Sequence, residues 1–269
     1  MFKYANVTVG ADPEVFFLDK DGNPFPAIGL VGGTKEKPLP IPGLEGCAVQ
    51  EDNVAAEFNI PPATSSTEFD ESIFKSLEYI SSIALKNGHR VAFKDSFEFA
   101  PEHLKSKAAM TLGCEPDFNV WELRVNPRPN PPKALRTAAG HVHIGYAKPT
   151  EESKIILGRA CDLFIGVPSI LVTPKTARRT LYGKAGAVRL KDYGIEYRVP
   201  SNWWLETAEL RRAMFNKVHQ TVYALMDGKG LLYDSILDHQ DVIVDCINNH
   251  DKDVAIRLMD TFDVAPFPG

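Results

Sequence analysis

Gly140-His141-Val142-His143-Ile144-Gly145-Tyr146 decides how the fold is read. Two histidines two residues apart lie on one face of an extended strand, with Val142, Ile144 and Tyr146 on the other. One face is apolar and packs on a core; the other is free to bind. A lone His-x-His is as often a strand with two solvated histidines, so the reading rests on other stretches repeating the pattern.

Four stretches repeat it. Val7 to Asp19 opens as a strand carrying Asp12 and Glu14 on one face with Val15 and Phe17 on the other, and Pro13 marks an edge or a bulge. Gln50 to Ile60 reads as one strand, with Glu57 alternating against Val54, Ala56 and Phe58. Asp117 to Asn126 carries Glu122 and Arg124 against Trp121, Leu123 and Val125. Gly194 to Val199 carries Glu196 and Arg198 against Ile195 and Tyr197. An ordinary half-exposed strand shows mixed Thr, Ser, Lys and Gln on its polar face. If the five strands share a sheet, their carboxylates converge, and converged carboxylates raise one another's pKa values. A bound divalent cation removes that conflict, and oxygen-rich sets with a histidine or two suit Mg²⁺ or Mn²⁺ better than zinc. The alternative is a set of surface strands with local salt bridges.

The stretch from Lys175 to Lys191 is basic, with Arg178, Arg179, Lys184 and Arg189 beside Gly183 and Gly186. Arginine forks suit phosphate oxygens, and glycines let backbone approach a ligand. Taken alone it also reads as a solvated charged loop. Divalent metal plus arginines is equipment for phosphoryl transfer.

Elsewhere the pattern is structural. Asp21-Gly22 signals a hairpin, and Pro24 to Gly46 is a long loop whose Gly32-Gly33-Thr34-Lys35 lacks the Walker A spacing. A helix is expected over 68–86, capped by Thr67-x-x-Asp70, with a stripe of Ile73, Leu77, Ile80 and Ala84, ending at Gly88. His89 to Phe99 reads as a strand. Another helix is expected from Thr150 to about Gly166, before Pro168. From about Glu206 the chain is helical, with stops at Asp227-Gly228 and Asn248-Asn249.

The 269 residues are expected to form a single domain with a large core, 44% hydrophobic and 24% charged. A net charge of −5 gives no basic footprint for nucleic acid. Cys47, Cys114, Cys161 and Cys246 fit neither a zinc spacing nor a disulfide framework. The opening Met1-Phe2-Lys3-Tyr4 does not read as a signal peptide, and no apolar run approaches the ~18 residues of a membrane span. A reduced, cytoplasmic location is the default expectation.

Gly-Ala-Asp-Pro-Glu-Val-Phe-Phe at 10–17, Gly-Gly-Thr-Lys at 32–35, Glu-Asp-Asn-Val-Ala-Ala-Glu-Phe-Asn-Ile-Pro-Pro-Ala at 51–63, the His-x-His strand, and Tyr-Gly-Lys-Ala-Gly with Tyr-Gly-Ile-Glu-Tyr-Arg-Val-Pro-Ser-Asn within 182–202 form an ordered set. Over roughly residues 7–205 this set resembles the phage-associated carboxylate–amine ligases of type 2, amidoligases related to glutamine synthetase and glutamate–cysteine ligase. The resemblance implies an α+β fold: a curved antiparallel sheet with a ligand funnel on one face and helices on the other. It implies ATP and Mg²⁺ or Mn²⁺ as cofactors and small-molecule or peptide carboxylate and amine substrates. ATP would phosphorylate the carboxylate, and the amine would attack the acyl phosphate. Residue by residue, it implies Glu14, Glu57, His141, Glu196 and Asp12 as metal ligands, with Asp12 the weaker candidate for its shorter reach. His143 is implied toward the nucleotide, the order of the two histidines being open, with Arg178, Lys184 and Lys35. Arg198, Arg189 and Arg179 would neutralise the transferring phosphoryl group. Glu122-x-Arg124 has no counterpart and reads as a structural ion pair. The competing readings are a kinase-like phosphotransferase on the same fold, and a non-catalytic phage protein that binds metal or nucleotide. If the chain is phage-encoded, the cytoplasm in question is the host's.

Overall fold

The computed structural model describes residues 4–110, 117–227 and 230–269. Met1-Phe2-Lys3, Cys114 and Gly228, on which the sequence reading touches, lie outside them. The strands and helices follow in chain order: β1 (Thr8–Ala11), β2 (Glu14–Leu18), β3 (Pro24–Phe25), β4 (Leu39–Pro40), β5 (Ala48–Asp52), β6 (Ala55–Ala63), α1 (Ser66–Lys86), β7 (Arg90–Ala92), β8 (Ser96–Glu98), α2 (Lys107–Met110), β9 (Phe118–Asn119), β10 (Arg124–Val125), β11 (Leu135–Thr137) and β12 (Val142–Gly145). Then come α3 (Glu151–Cys161), a π-helical turn (Asp162–Gly166), α4 (Val167–Val172), α5 (Ala177–Leu181), β13 (Ala187–Lys191), β14 (Gly194–Tyr197), α6 (Ala208–Asp227), α7 (Leu231–Asp238), α8 (Gln240–Asn249) and α9 (Lys252–Phe262).

The fold is α+β, built on one large antiparallel sheet. Its strand order is β10-β9-β13-β14-β12-β1-β6-β2-β3, with β5 also pairing β6, and β4 and β7 branching from β5 and β2. The His-x-His strand β12 therefore sits in the middle, between β14 and β1. Its alternate residues Val142 and Ile144 are fully buried, as are Ile195 and Tyr197 of β14 and Ala56 and Phe58 of β6. Helices cover that apolar face: α1 packs on β6, α3 on β13 and β14, and α6 on both helices.

Several elements differ from the sequence expectation, each for a local reason. The strand expected over 7–19 is two strands, broken at Asp12-Pro13. Pro13 has no N–H for a ladder, and a register shift between Val9 and Ala11 marks a bulge that bends the sheet. The strand expected over 50–60 is a hairpin, β5 and β6, turning at Asn53 in the left-handed region (φ 56°). The turn is held by Arg136, whose Nε donates to Asn53 Oδ1 at 2.9 Å. The expected strand 89–99 is split between β7, on the large sheet, and β8, which pairs β11 in a separate two-stranded sheet.

Helix α1 starts earlier than expected. Ser65 is its cap, accepting from the Glu68 N–H at 3.2 Å, while Ile73, Leu77, Ile80 and Ala84 form the buried stripe as read. Asp70 is not a cap partner. It clamps α6, accepting from Arg211 Nε at 2.7 Å and Arg212 Nε at 2.9 Å. The second helix does not end before Pro168. The π turn resets the hydrogen-bond pattern, and Pro168 falls in the first turn of α4, where a missing N–H removes no helical bond. The resulting run, Glu151–Val172, is long and apolar enough by composition to cross a membrane, contrary to the sequence expectation. It is 83% buried inside the fold and is a core helix.

The 117–126 segment is also a hairpin, β9 and β10, with Leu123 at φ 53°. It carries Glu122 and Arg124 out to solvent, where Arg124 Nε meets Glu122 Oε2 at 2.5 Å with the side chains 72% and 48% exposed. An exposed pair of this kind contributes at most ~1 kcal/mol. Glu122→Gln is therefore expected to change the unfolding free energy measured by urea titration by less than that ~1 kcal/mol and to leave activity intact. A folded but inactive variant would place Glu122 in the site.

Candidate active site

The pleat sets the site. Across three neighbouring strands His143 of β12 stands opposite Glu196 of β14, which stands opposite Arg189 of β13. On the other side of His143 the register partner is Gly10 of β1, which puts no side chain into the row. A second row runs Glu14 of β2, Glu57 of β6, Gln50 of β5. Asp12, at the break between β1 and β2, joins the rows: its Oδ1 lies 3.0 Å from His143 Nε2 and 3.4 Å from His141 Nδ1.

Two groups of candidate metal ligands result among the described residues, Asp12–His143–Glu196 and Glu14–Asp52–Glu57. Within each, one ligand atom per residue lies within 4.8 Å of the others. Their electrostatics differ. In the first, burial opposes charge on Asp12, but His143 and His141 outweigh it and hold the carboxyl far below its ordinary range. Glu196 is likewise lowered to about 2, burial being overcome by His141, Arg198 and Arg189. Arg198 Nη1 donates to Glu196 Oε1, and Lys191 Nζ lies 3.2 Å from Oε2.

The second group has no such balance. Burial, then Asp52, pushes Glu14 up to about 8. Burial, then Asp12, Glu14 and Asp52, raises Glu57 well above the carboxylate range, and burial raises Asp52. Neutral donors meet two of these oxygens: Ala139 N–H donates to Glu14 at 3.0 Å and Gln50 Nε2 to Glu57 at 2.8 Å. Oxygen donors that cannot all ionise side by side fit a hard divalent cation.

Two clefts open on these carboxylates. The larger, of about 500 Å³, is lined by Asp12, Lys35, Glu57, His143, Arg189 and Glu196, among others. The narrower one is lined by Glu14, Asp52, His141, Arg178, Tyr182 and Arg198, among others. Arg198 is buried at the wall of the narrower cleft. Its Nε lies 2.5 Å from Asp117 Oδ1, and its Nη1 donates to His141 Nδ1 at 3.1 Å. His141 thus serves as a neutral acceptor, lowered to about 4 by burial and by Arg198.

The His-x-His strand, the basic segment and the Glu-x-Arg strand all lie in one stretch that has a family counterpart. Residues 130–229 match the family model described as phage phiEco32-like COOH.NH2 ligase-type 2. This is the family that the ordered motifs resemble. Asp12, Glu14, Asp52 and Glu57 lie upstream of the segment that the ligase-type 2 model matches, and the sheet brings them to it. No curated protein matches the chain. Among solved structures, "GmaS/ADP complex-Conformation 1" is similar at 12% identity and a TM-score of 0.41, covering 95% of this chain and 69% of that one. "Apo GmaS without ligand" follows at 13% and 0.40, covering 95% and 68%. "Crystal structure of novel glutamine synthase homolog" is at 12% and 0.38, covering 95% and 66%.

Within residues 130–229 the structure separates the basic residues. Arg189 and Arg198 stand on the site face of the sheet. Arg178 lines the narrower cleft and donates to the carbonyls of Val199 (3.0 Å) and Arg198 (3.1 Å), bracing the end of β14. Arg179, one residue on, turns into the core toward Gly183 O and Ser169 Oγ, both at 3.4 Å, and lines neither cleft. Lys184 is exposed and lines neither cleft. Lys35 reaches the larger cleft from its loop. Asp52, Asp117 and Tyr193 are site residues that the sequence reading did not single out. Asp52 had a signal, since Asp52-Asn53 is a turn pair that makes a hairpin of the 50–60 run. Asp117 and Tyr193 had none.

Proposed function

We propose that this chain is an ATP-dependent carboxylate–amine ligase working through an acyl phosphate. The observation that carries the reading is the convergence of two carboxylate-rich ligand groups with Arg189, Arg198 and Lys191 on one sheet face. The family match over 130–229 supports the reaction class. In this reading Glu14, Asp52 and Glu57 hold one Mg²⁺ or Mn²⁺, and Asp12, His143 and Glu196 a second. Such ions, when bound, neutralise phosphate charge and polarise the transferred phosphoryl group.

The protein's own groups do the rest. Lys35, Arg189 and Lys191 make the larger cleft cationic and suited to a triphosphate. Arg198 offers a planar fork to the γ-phosphoryl oxygens, on which charge spreads in the transition state. The substrate carboxylate oxygen attacks γ-phosphorus, the bond to the β-phosphate oxygen breaks, and ADP leaves. The amine nitrogen then attacks the acyl carbon and phosphate departs. The amine reacts in its neutral form and gives up a proton to solvent as the C–N bond forms. ATP use and the buried, unbridged Cys47, Cys161 and Cys246 fit a reducing, cytoplasmic setting.

ADP release measured against panels of carboxylates and amines tests this. The ligase requires both substrates for steady release and yields an amide. Full turnover without an amine, leaving a stable phosphorylated product, would make the protein a phosphotransferase. Absence of nucleotide binding would leave a non-catalytic protein. ATP binding itself should need a divalent ion. Calorimetry with ATP plus chelator is expected to give an affinity about a hundredfold below that with Mg²⁺, ~2.7 kcal/mol. Equal affinities would overturn the metal assignments.

A further inference from the structure

His143 has a neighbour at each ring nitrogen. Nε2 faces Asp12 Oδ1 at 3.0 Å, and Nδ1 pairs with the hydroxyl of Tyr193. Tyr193 comes from the turn joining β13 to β14. Its backbone carbonyl accepts from the Tyr146 N–H at 3.0 Å, which anchors the turn on the end of β12. Its ring lies beside Gly145, within ordinary contact distance of where a Cβ would stand. The rings of His143 and Tyr193 are tilted by 33° with centroids 6.0 Å apart. Nothing in the mechanism above uses this tyrosine.

A hydroxyl is the partner this position needs. A carboxylate only accepts, so Nε2 carries a proton toward Asp12. Burial opposes charge on the ring, but Asp12 and Glu196 outweigh it and raise the imidazole's pKa. Once the ring is neutral, Nδ1 is a bare acceptor. Tyr193 then donates. A cation can take Nε2 only as a lone pair, so the proton must move to Nδ1. One proton leaves Nε2 for water and one is taken from water at Nδ1, so the ring stays neutral. Nδ1 is now a donor and needs an acceptor. A tyrosine oxygen serves in both states by turning its O–H, whereas a carbonyl or a lysine serves in only one.

We infer that Tyr193 is a positioning residue that lets His143 exchange Asp12 for a divalent cation without losing its orientation. The inference rests on the ligase reading insofar as His143 is taken as a metal ligand. It goes beyond that reading in assigning the tautomer and the residue that sets it. Removing the outer partner of a metal-bound histidine typically weakens binding 10–100-fold.

The test is a Mg²⁺ titration, without nucleotide, of the full chain labelled with ¹⁵N at histidine. The shifts of the His143 ring nitrogens read both the tautomer and occupancy of that one site. With the titration run at a pH where the metal-free ring is neutral, Nδ1 of the parent is expected to change from bare to protonated on saturation. In Tyr193→Phe, which keeps the ring and loses the hydroxyl, the Mg²⁺ concentration at half-saturation should rise about 10–100-fold. If Nδ1 of the parent stays bare at saturation, or if folded Tyr193→Phe saturates within about twofold of the parent, the inference is wrong and the ligase reading stands. If Mg²⁺ leaves the His143 shifts of the parent unmoved, the inference falls together with the metal role of His143. The parent titration decides the tautomer even if the variant does not fold.

Discussion

Glu57→Gln should melt higher than the parent when divalent cations are chelated, and should lose nearly all turnover. Glu57 is flanked across the ladder by Glu14 and has Asp12 and Asp52 nearby, and burial with these charges raises its pKa well above the ordinary carboxylate value. A group whose folded pKa is raised contributes its full stability below its unfolded pKa. That stability is lost as pH rises through the folded value. At pH 5 the parent therefore already carries a protonated Glu57 and resembles the variant. Toward pH 8 and above the parent must ionise a crowded, buried carboxyl, and glutamine need not. The gap in melting temperature should open with rising pH, to about 2–4 °C for each ~1 kcal/mol of relieved repulsion in a chain of this size. Gln50 continues to meet position 57, because the amide keeps one acceptor oxygen for the Nε2 donor now at 2.8 Å. With Mg²⁺ the order should reverse, since the parent gains from binding a cation and the variant loses a ligand. ADP release should fall on the order of 10²–10³-fold, the usual effect of losing one preorganised electrostatic contact at a reacting phosphoryl group. Thermal scans at pH 5.5 and 8.5, each with chelator and with Mg²⁺, check the sign. A variant that melts below the parent under chelation at pH 8.5 would mean that Glu57 is paired rather than crowded.

The central strands were legible because alternation is a strong signal when both faces are pure. Val142 and Ile144 against His143, and Ile195 and Tyr197 against Glu196, leave one possible register for burial, and the structure adopts it. The same signal misled at residues 50–60 and 117–126. A hairpin with a tight turn preserves alternation on both sides of the turn, so a folded-back run reads like one long strand. In the first case the turn at Asn53 carries Asp52 to the site. In the second, the turn at Leu123 carries Glu122 and Arg124 away from it. The basic segment shows a different limit. Arg178 and Arg179 are adjacent on a single helical turn, so they point about 100° apart, and composition cannot say which faces the cleft. Lys184 and Arg189 are separated by the turn that starts β13, and only the second is on the sheet. Tyr193 was hidden because its partner stands on a strand 50 residues away and no local pattern links them.

Arg198→Lys should keep the charge at that position and still lose turnover on the order of 10²–10³-fold, about 3–4 kcal/mol. Arg198 is buried, with its Nε toward Asp117 and its Nη1 toward Glu196 and His141. A lysine ammonium is one compact charge and cannot meet carboxylates on both sides. Stability should therefore fall too, because one buried carboxylate loses its partner, a loss that typically costs about 3–5 kcal/mol. That second effect means that lost activity alone does not make Arg198 part of the chemistry. Asp117→Asn separates the two roles. It removes the Nε ion pair while leaving the guanidinium and its Nη1 contacts in place beside Glu196. If Arg198 only balances buried charge, the two variants should lose turnover in proportion to their loss of folded protein. If Arg198 grips the transferring phosphoryl group, Asp117→Asn should lose stability yet keep ADP release within about tenfold, while Arg198→Lys falls far below it. Rates at saturating ATP, taken well below each midpoint and scaled to the folded fraction, make the comparison. The KM for ATP should stay near the parent value in Arg198→Lys, since the contact strengthens only as charge spreads over the equatorial oxygens. A scaled Arg198→Lys rate within about threefold of the parent would remove Arg198 from the chemical step and leave it as the ion that holds Glu196 and Asp117 together.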